Sequence, residues 1–448
     1  MTVVADPQEI VIKGATLVEN GVEHRTDVHI VGESIVNVAG ELEVPARAKV
    51  LDASGCYLMP AFVDLHTHLR EPGGERSETV TSGSRAAALG GYRCVVAMPN
   101  TVPAIDSVAM VDYLRALCDD TLCDVEVSAA ITIGRLGERL VPIRELAGRG
   151  VRIFTDDGRG VQDDGLMAEA LRIARELGVV IAQHCEDEIH ARGGHMHEGK
   201  WSSLLGIPGQ PSGAEEVMVA RDLRLVRELD ASMHFLHLST EGAIELVRRA
   251  KAGGLRITAE ATPHHLSLTH AEVATYDARF KVNPPLRTDR DVLAVRAGIA
   301  DHTIDAIATD HAPHSPEAKD EPFDCAPPGM IGLETAFSVA YGELVARANL
   351  RVSGGLASQA VTIADLVKLF TTNPARIAGV ATPNEQLIAS GSPADLVVFD
   401  PTERWNVRLG DIASRSQNTP FEHFDLTGRV RHTLYRGEPV VIDATAQR

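Results

Sequence analysis

Residues 60–73 read PAFVDLHTHLREPG, an apolar run that ends in two histidines, His66 and His68, one residue apart. On a strand, residues i and i+2 leave the chain on the same side, so both imidazoles can converge on one metal ion. An HxH pair is weak by itself, because a histidine at a strand end more often hydrogen-bonds at the surface. Its weight depends on what the rest of the chain places beside it.

Outward from this stretch, strands are expected at Pro60–Leu65, Tyr92–Met98, Asp124–Ile131, Val151–Phe154, Val179–Gln183, Ser232–Leu238, Arg256–Glu260 and Ile304–Ala308, with helical text between most of them. In one helix Leu166, Ala170, Ile173, Ala174 and Leu177 share a face and Gly178 is the stop. Another opens at Ser212–Glu215 with capping-box spacing. Eight strands alternating with helices predict an α/β fold, a (β/α)8 TIM-type barrel over residues 59–381. An open doubly wound sheet is the alternative, but the GxGxxG turn that announces it is missing. Residues 1–58 and 382–448 read as short strands and turns, Val28–Val31 and Ser34–Val38 forming a hairpin signal around Gly32-Glu33. Each piece is too short to bury a core alone, so both ends are expected to join in one small β-sandwich domain.

Composition excludes several classes. The chain has 448 residues and a formal net charge of -19, which argues against a nucleic-acid surface. No run reaches the 18 or more apolar residues of a membrane helix, and MTVVADPQEI lacks the pattern of a signal peptide. The six cysteines (56, 94, 118, 123, 185 and 325) show no CxxC spacing and read as reduced thiols of a cytoplasmic protein.

The remaining strand ends carry Asp156-Asp157-Gly158, His184-Cys185-Glu186-Asp187, His237 and Asp310-His311. Each alone reads as a turn or a surface group. Their recurrence at the C-terminal strand ends, where barrel enzymes place their active sites, reads as a centre for two divalent ions. Imidazole and carboxylate donors favour zinc or a similar metal.

HTHLREPG (66–73), AMPNT (97–101), FTDDG (154–158), HCED (184–187) and ATDHAPH (308–314) resemble type I dihydroorotases of the amidohydrolase superfamily. NPPLR (283–287), PPGMIGLET (327–335) and TTNPARI (371–377) extend the resemblance over essentially the whole chain. It implies two zinc ions per subunit, one held by His66, His68 and Asp310 and the other by His184 and His237. Related hydantoinases, dihydropyrimidinases and allantoinases bridge their ions with a carboxylated lysine on the fourth strand. No lysine lies in Val151–Gly158; Asp157 matches the family spacing for an aspartate bridge, and Asp156 is the competing assignment.

The resemblance further implies reversible cyclisation of N-carbamoyl-L-aspartate to (S)-dihydroorotate and water in de novo pyrimidine (UMP) biosynthesis. A binuclear metal-activated hydroxide would act with Asp310 as acid and base. Both substrates carry carboxylates, which the planar guanidinium of Arg70 suits. The family adds His68, Asn100, Asn283 and His314 as substrate-contacting side chains, with backbone contacts from Pro328 and Gly329. A homodimer, with aspartate transcarbamoylase as a further expected partner, completes the reading. The alternatives are an allantoinase- or hydantoinase-like cyclic amidase, and an inactive scaffold for aspartate transcarbamoylase. His264, His265, His195, His197 and His311 are left outside the ligand set, and Cys185 is expected to be a buried, inert thiol. The proline-rich, charged segment from His311 to Met330 is expected to cover the substrate.

Overall fold

The computed structural model describes residues 8–19, 22–347, 361–380 and 388–448. The expectations that concern residues 1–7 and the domain boundary at 381/382 lie outside them.

Eight strands run parallel: β1 (Phe62–Thr67), β2 (Tyr92–Ala97), β3 (Asp124–Val127), β4 (Ile153–Phe154), β5 (Val180–Gln183), β6 (Ser232–Phe235), β7 (Arg256–Ala261) and β8 (Ala306–Ile307). They form a three-stranded sheet, β1-β2-β3, and a five-stranded one, β8-β7-β6-β5-β4. Parallel bridges join Ala129, just past β3, to Phe154 in β4, and Thr67 in β1 to His311, just past β8. Leu65, Val96, Ile153, Ala182, Leu236 and Ala306 belong to one small buried cluster, separate from the larger core that packs beneath the helices. Helices follow the strands in alternation, among them Val80–Leu89, Val108–Ala116, Asp164–Leu177, Gly213–Leu229, Glu241–Ala252 and Asp289–Ala300. The protein is thus α/β with parallel sheets.

Local chemistry explains the helix ends, with two departures from the expected pattern. Asp163 caps Asp164–Leu177 by accepting from the Leu166 N–H at 2.8 Å, and Gly178 ends it at φ +67°. Its buried face is Met167, Ala168, Ala170, Leu171 and Ala174. Leu166, Ile173 and Leu177 are only half-buried, so the face is rotated from the one expected. The capping box at Ser212–Glu215 does not form: Ser212 is itself helical and makes no side-chain cap bond. Glu215 turns inward, accepting from the Ser239 N–H at 3.0 Å, the Thr240 N–H at 2.9 Å and both hydroxyls of that pair. A buried carboxylate gains more from four donors than from one cap, and these donors follow the end of β6.

Strands from both chain ends share a single sheet, nine-stranded among the described residues. Its seam is the antiparallel pairing of Leu396–Asn406 with Tyr57–Pro60, Phe399 opposite Tyr57. The hairpin Val22–Val31 and Ser34–Ala39 forms one edge region. The strand Glu9–Glu19 pairs with this hairpin, its register shifting between Ile12 and Ala15. Gly14 makes that shift at φ +73°, where a Cβ would stand 2.8 Å from Ser54 Oγ. Among the described residues no helix is long and apolar enough to cross a membrane.

Candidate metal centre and active site

The C-terminal ends of the parallel strands bring four imidazoles and two carboxylates together. His66 lies in β1 and His68 just beyond it; Asp157, His184, His237 and Asp310 follow β4, β5, β6 and β8. His66 Nε2 is 3.3 Å from Asp157 Oδ1 and 3.5 Å from Asp310 Oδ1. His68 Nε2 is 3.1 Å from Asp310 Oδ1 and 3.5 Å from Asp157 Oδ2. On the other side of Asp157, His184 Nδ1 and His237 Nε2 stand 3.4 and 3.5 Å from Oδ1 and 3.0 Å from each other. His66, His68 and Asp157 make one group able to hold a cation, and Asp157, His184 and His237 another, each with its ligand atoms within 4.8 Å. Asp157 belongs to both.

Asp156 points the other way. Its Oδ1 accepts from the Ile131 N–H at 2.8 Å and the Thr132 N–H at 3.0 Å, and its Oδ2 from the Thr132 hydroxyl. Of the two adjacent acids, one ties down the loop after β3 and the other faces the imidazoles.

Outer partners orient the rings. Glu260, inside β7, takes the Nδ1–H of His66 at 2.8 Å and that of His234 Nε2 at 3.0 Å. The Asn100 amide oxygen takes the Nδ1–H of His68 at 2.7 Å, while its amide nitrogen donates to Asp157 at 3.3 Å. Both bonds occupy Nδ1 and aim Nε2 inward, where it can ligate a metal ion in exchange for any proton it carries. His66 Nε2 is buried without a hydrogen-bond partner, so the donor set fits a cation. Burial disfavours an ionised Glu260, yet His234 and His66 outweigh it and bring its pKa down to about 2. Burial likewise opposes charge on Asp157 and His66, but their mutual attraction wins, holding the carboxyl well below and the imidazole well above their usual ranges. His237 (φ +30°), Asp310 (φ +46°) and Arg70 (φ +59°) all occupy the left-handed region. Such strain is concentrated where side chains must be aimed.

The expected substrate contacts surround this centre. Arg70 Nε donates to the Pro313 carbonyl at 3.0 Å and its Nη2 lies 3.3 Å from His314 Nε2. That imidazole nitrogen donates to the Pro328 carbonyl at 2.8 Å. Burial, reinforced by Arg70, drives the His314 pKa down to about 2, so the ring is neutral. Gly329, at φ +147°, admits no side chain: a Cβ would lie 2.8 Å from both the Ala312 carbonyl and His314. Asn283 donates to Glu186 at 2.8 Å and approaches His184 Nε2 at 3.3 Å.

Sequence reasoning missed Glu260, Glu186 and Glu215. An acid within a strand bound for the interior was the available signal for Glu260. His265 is held by Thr262 and the Pro284 carbonyl, and His311 spans Glu78 and the Gly332 N–H. Cys185 turns back to the Gln183 carbonyl, and burial pushes its pKa well above the usual thiol range. In the segment from His311 to Met330, the Lys319 ammonium is buried against the carbonyls of Ala278, Lys281 and Pro327.

A family model described as dihydro-orotase-like matches residues 55–243. A dihydroorotase of Pelotomaculum thermopropionicum is 43% identical over 437 residues, 97% of this chain and 99% of that one. The chain belongs to the dihydroorotase family. A dihydroorotase of Mycobacterium leprae is 43% identical over 96% of this chain and 97% of its own. Among solved structures, a dihydropyrimidinase from Brevibacillus agri has a TM-score of 0.83 at 22% identity, covering 98% of this chain and 96% of that chain. An L-hydantoinase from Arthrobacter aurescens has a TM-score of 0.85 at 22% identity, covering 98% and 97%. At that identity these two share the fold with this dihydroorotase family member.

Proposed function

We propose that the chain is a zinc-dependent dihydroorotase, interconverting N-carbamoyl-L-aspartate and (S)-dihydroorotate plus water in pyrimidine biosynthesis. The observation that carries the reading is Asp157 shared between two groups of inward-aimed imidazoles, beside a mouth containing Arg70, His314 and Gly329. Its frame is a closed (β/α)8 barrel over residues 59–381, supported by the bridges at both sheet edges and the small interior cluster to which residues in or just after six of the strands contribute. Residues 1–58 and 382–448 would complete a small β-sandwich domain. A cytoplasmic homodimer, with aspartate transcarbamoylase as candidate partner, belongs to the same proposal.

His66, His68 and Asp310 would hold one ion, His184 and His237 the other, and Asp157 both. When bound, the pair supplies Lewis acidity and lowers the pKa of water. The chain does the rest. Arg70, held by Pro313, presents its guanidinium to the substrate carboxylate. Asp310 faces the imidazoles through Oδ1, while Oδ2 accepts no hydrogen bond among the described residues and can carry a proton. In ring opening it takes the proton of the attacking water and gives it to the departing ring nitrogen; in cyclisation the order reverses.

Two tests follow. Initial rates with carbamoyl aspartate, dihydroorotate, hydantoin and allantoin separate the readings: turnover confined to the first two is expected, and turnover of only the last two would make the chain a different cyclic amidase. Replacing Glu260 by Gln removes the anion that orients His66. Metal affinity should then fall by about 10- to 100-fold, measured by competition with a chelator. Unchanged affinity would remove Glu260 from the centre.

A further inference from the structure

We infer that Asn418, from the C-terminal part of the chain, is a positioning residue for Arg70: it orients the peptide unit against which the substrate-binding guanidinium is held. The inference rests on the dihydroorotase reading above. Asn418 lies in SRSQNTPF (414–421), between the strands Leu396–Asn406 and Asp425–Tyr435 of the nine-stranded sheet. This connecting segment is pinned to the barrel. The Ala413 and Ser414 N–H groups donate to Glu334 at 3.0 and 3.2 Å, and the Arg415 N–H to Glu78 at 3.1 Å. The Ser416 hydroxyl donates to the Ser77 carbonyl at 2.6 Å. Glu78 also lies 3.2 Å from Nε2 of His311, the residue after Asp310.

Asn418 itself is 3% exposed and fills the neck of the His311–Met330 loop. There His311 bridges Met330, and the Ala312 N–H donates to the Met330 carbonyl at 2.7 Å. The Asn418 amide nitrogen donates to the carbonyls of Ala312 at 3.0 Å and Gly329 at 3.1 Å. Its amide oxygen accepts from the His314 N–H at 3.1 Å. Two carbonyls can only accept and an N–H can only donate, so the neck needs one side chain with both functions. A carboxylate or a hydrocarbon of the same shape leaves buried groups unsatisfied.

The bond to His314 links the loop neck to the substrate. The Pro313 carbonyl and the His314 N–H belong to one planar trans peptide unit, on which they point in opposite directions. Asn418 takes the N–H, and the carbonyl accepts from Arg70 Nε at 3.0 Å. Rotation of this unit would withdraw the carbonyl from the guanidinium. Asn418 opposes that rotation at the N–H and, through the Ala312 carbonyl, fixes the preceding unit as well. The His314 ring, 3.3 Å from Arg70 Nη2, hangs from the same peptide. An asparagine that only closed the neck would need its two donors; the third bond couples it to Arg70.

A double-mutant cycle on metal-loaded protein tests this: wild type, Asn418→Leu, Arg70→Ala and the two combined. In Asn418→Leu the KM for carbamoyl aspartate and for dihydroorotate should both rise about 5- to 30-fold, because Arg70 binds a carboxylate that both compounds carry. Metal content and kcat should change by less than about threefold. In the Arg70→Ala background the same substitution should change kcat/KM by less than about twofold. A role confined to stability would lower Tm and the active fraction alike in both backgrounds. If Asn418→Leu does not fold, Asn418→Asp takes its place; it keeps the shape and the acceptor but sets a carboxylate against two carbonyls. Its KM defect relative to the wild type should shrink as pH falls and the carboxyl regains a donor. An unchanged KM, or a loss of equal size with and without Arg70, in an active wild type would overturn the role of Asn418 alone. A wild type that turns over neither compound would overturn the dihydroorotase reading and this inference with it.

Discussion

Replacing Asp310 by Asn should lower kcat by about a hundredfold to ten-thousandfold, roughly 3 to 5 kcal/mol of barrier, in both directions. The change is nearly isosteric, and an amide oxygen in place of Oδ1 can still face His68 and His66 across the distances now seen, 3.1 and 3.5 Å. What disappears is a group able to take a proton and release it again. KM should move little, because Arg70, Asn283 and His314 do not depend on Asp310 for their contacts. Metal content and kcat measured on one sample separate the two roles. Near-normal turnover with metal bound would remove Asp310 as the proton carrier.

The second large effect distinguishes two neighbours. Asp157→Ala removes the carboxylate common to both imidazole groups. An outer partner of a metal ligand is worth about 10- to 100-fold in affinity, so a ligand common to both ions should exceed about a hundredfold and abolish turnover. Asp156→Asn should instead leave metal affinity near that of the wild type. It weakens the bonds from Ile131 and Thr132, costing about 1–3 kcal/mol of stability in denaturant unfolding. The reverse pattern, metal lost from Asp156→Asn and kept by Asp157→Ala, would contradict the assignment.

These two acids also show where sequence reasoning reaches its limit. Alternation of strand and helix text locates the strand ends, because period and turn chemistry are local. Tyr92–Ala97 and Val180–Gln183 fall within a residue of their expected bounds. HxH in β1 needs only the two-residue period of a strand. Asp156 and Asp157, by contrast, follow a two-residue strand, Ile153–Phe154, whose ladder has already ended. Which of them faces inward is set by where Ile131 and Thr132 present their N–H groups, a fact about the neighbouring loop. Glu260 and His66 are 194 residues apart, and no local pattern couples them. At Ser212–Glu215 the local rule pointed to a cap, and tertiary donors from Ser239 and Thr240 took the carboxylate instead. The family resemblance had its greatest value at such places, since matching motifs carry long-range geometry that periodicity does not.

The central claim is a dihydroorotase whose catalysis needs the ions that these six side chains would hold. Elemental analysis and the initial rate of carbamoyl aspartate cyclisation, taken on the same purified sample before and after chelation, test it most directly. About two divalent ions per chain are predicted, with turnover that vanishes on chelation and returns with added zinc. Metal-loaded protein that does not cyclise carbamoyl aspartate, or chelated protein that still does so at the original rate, would contradict it.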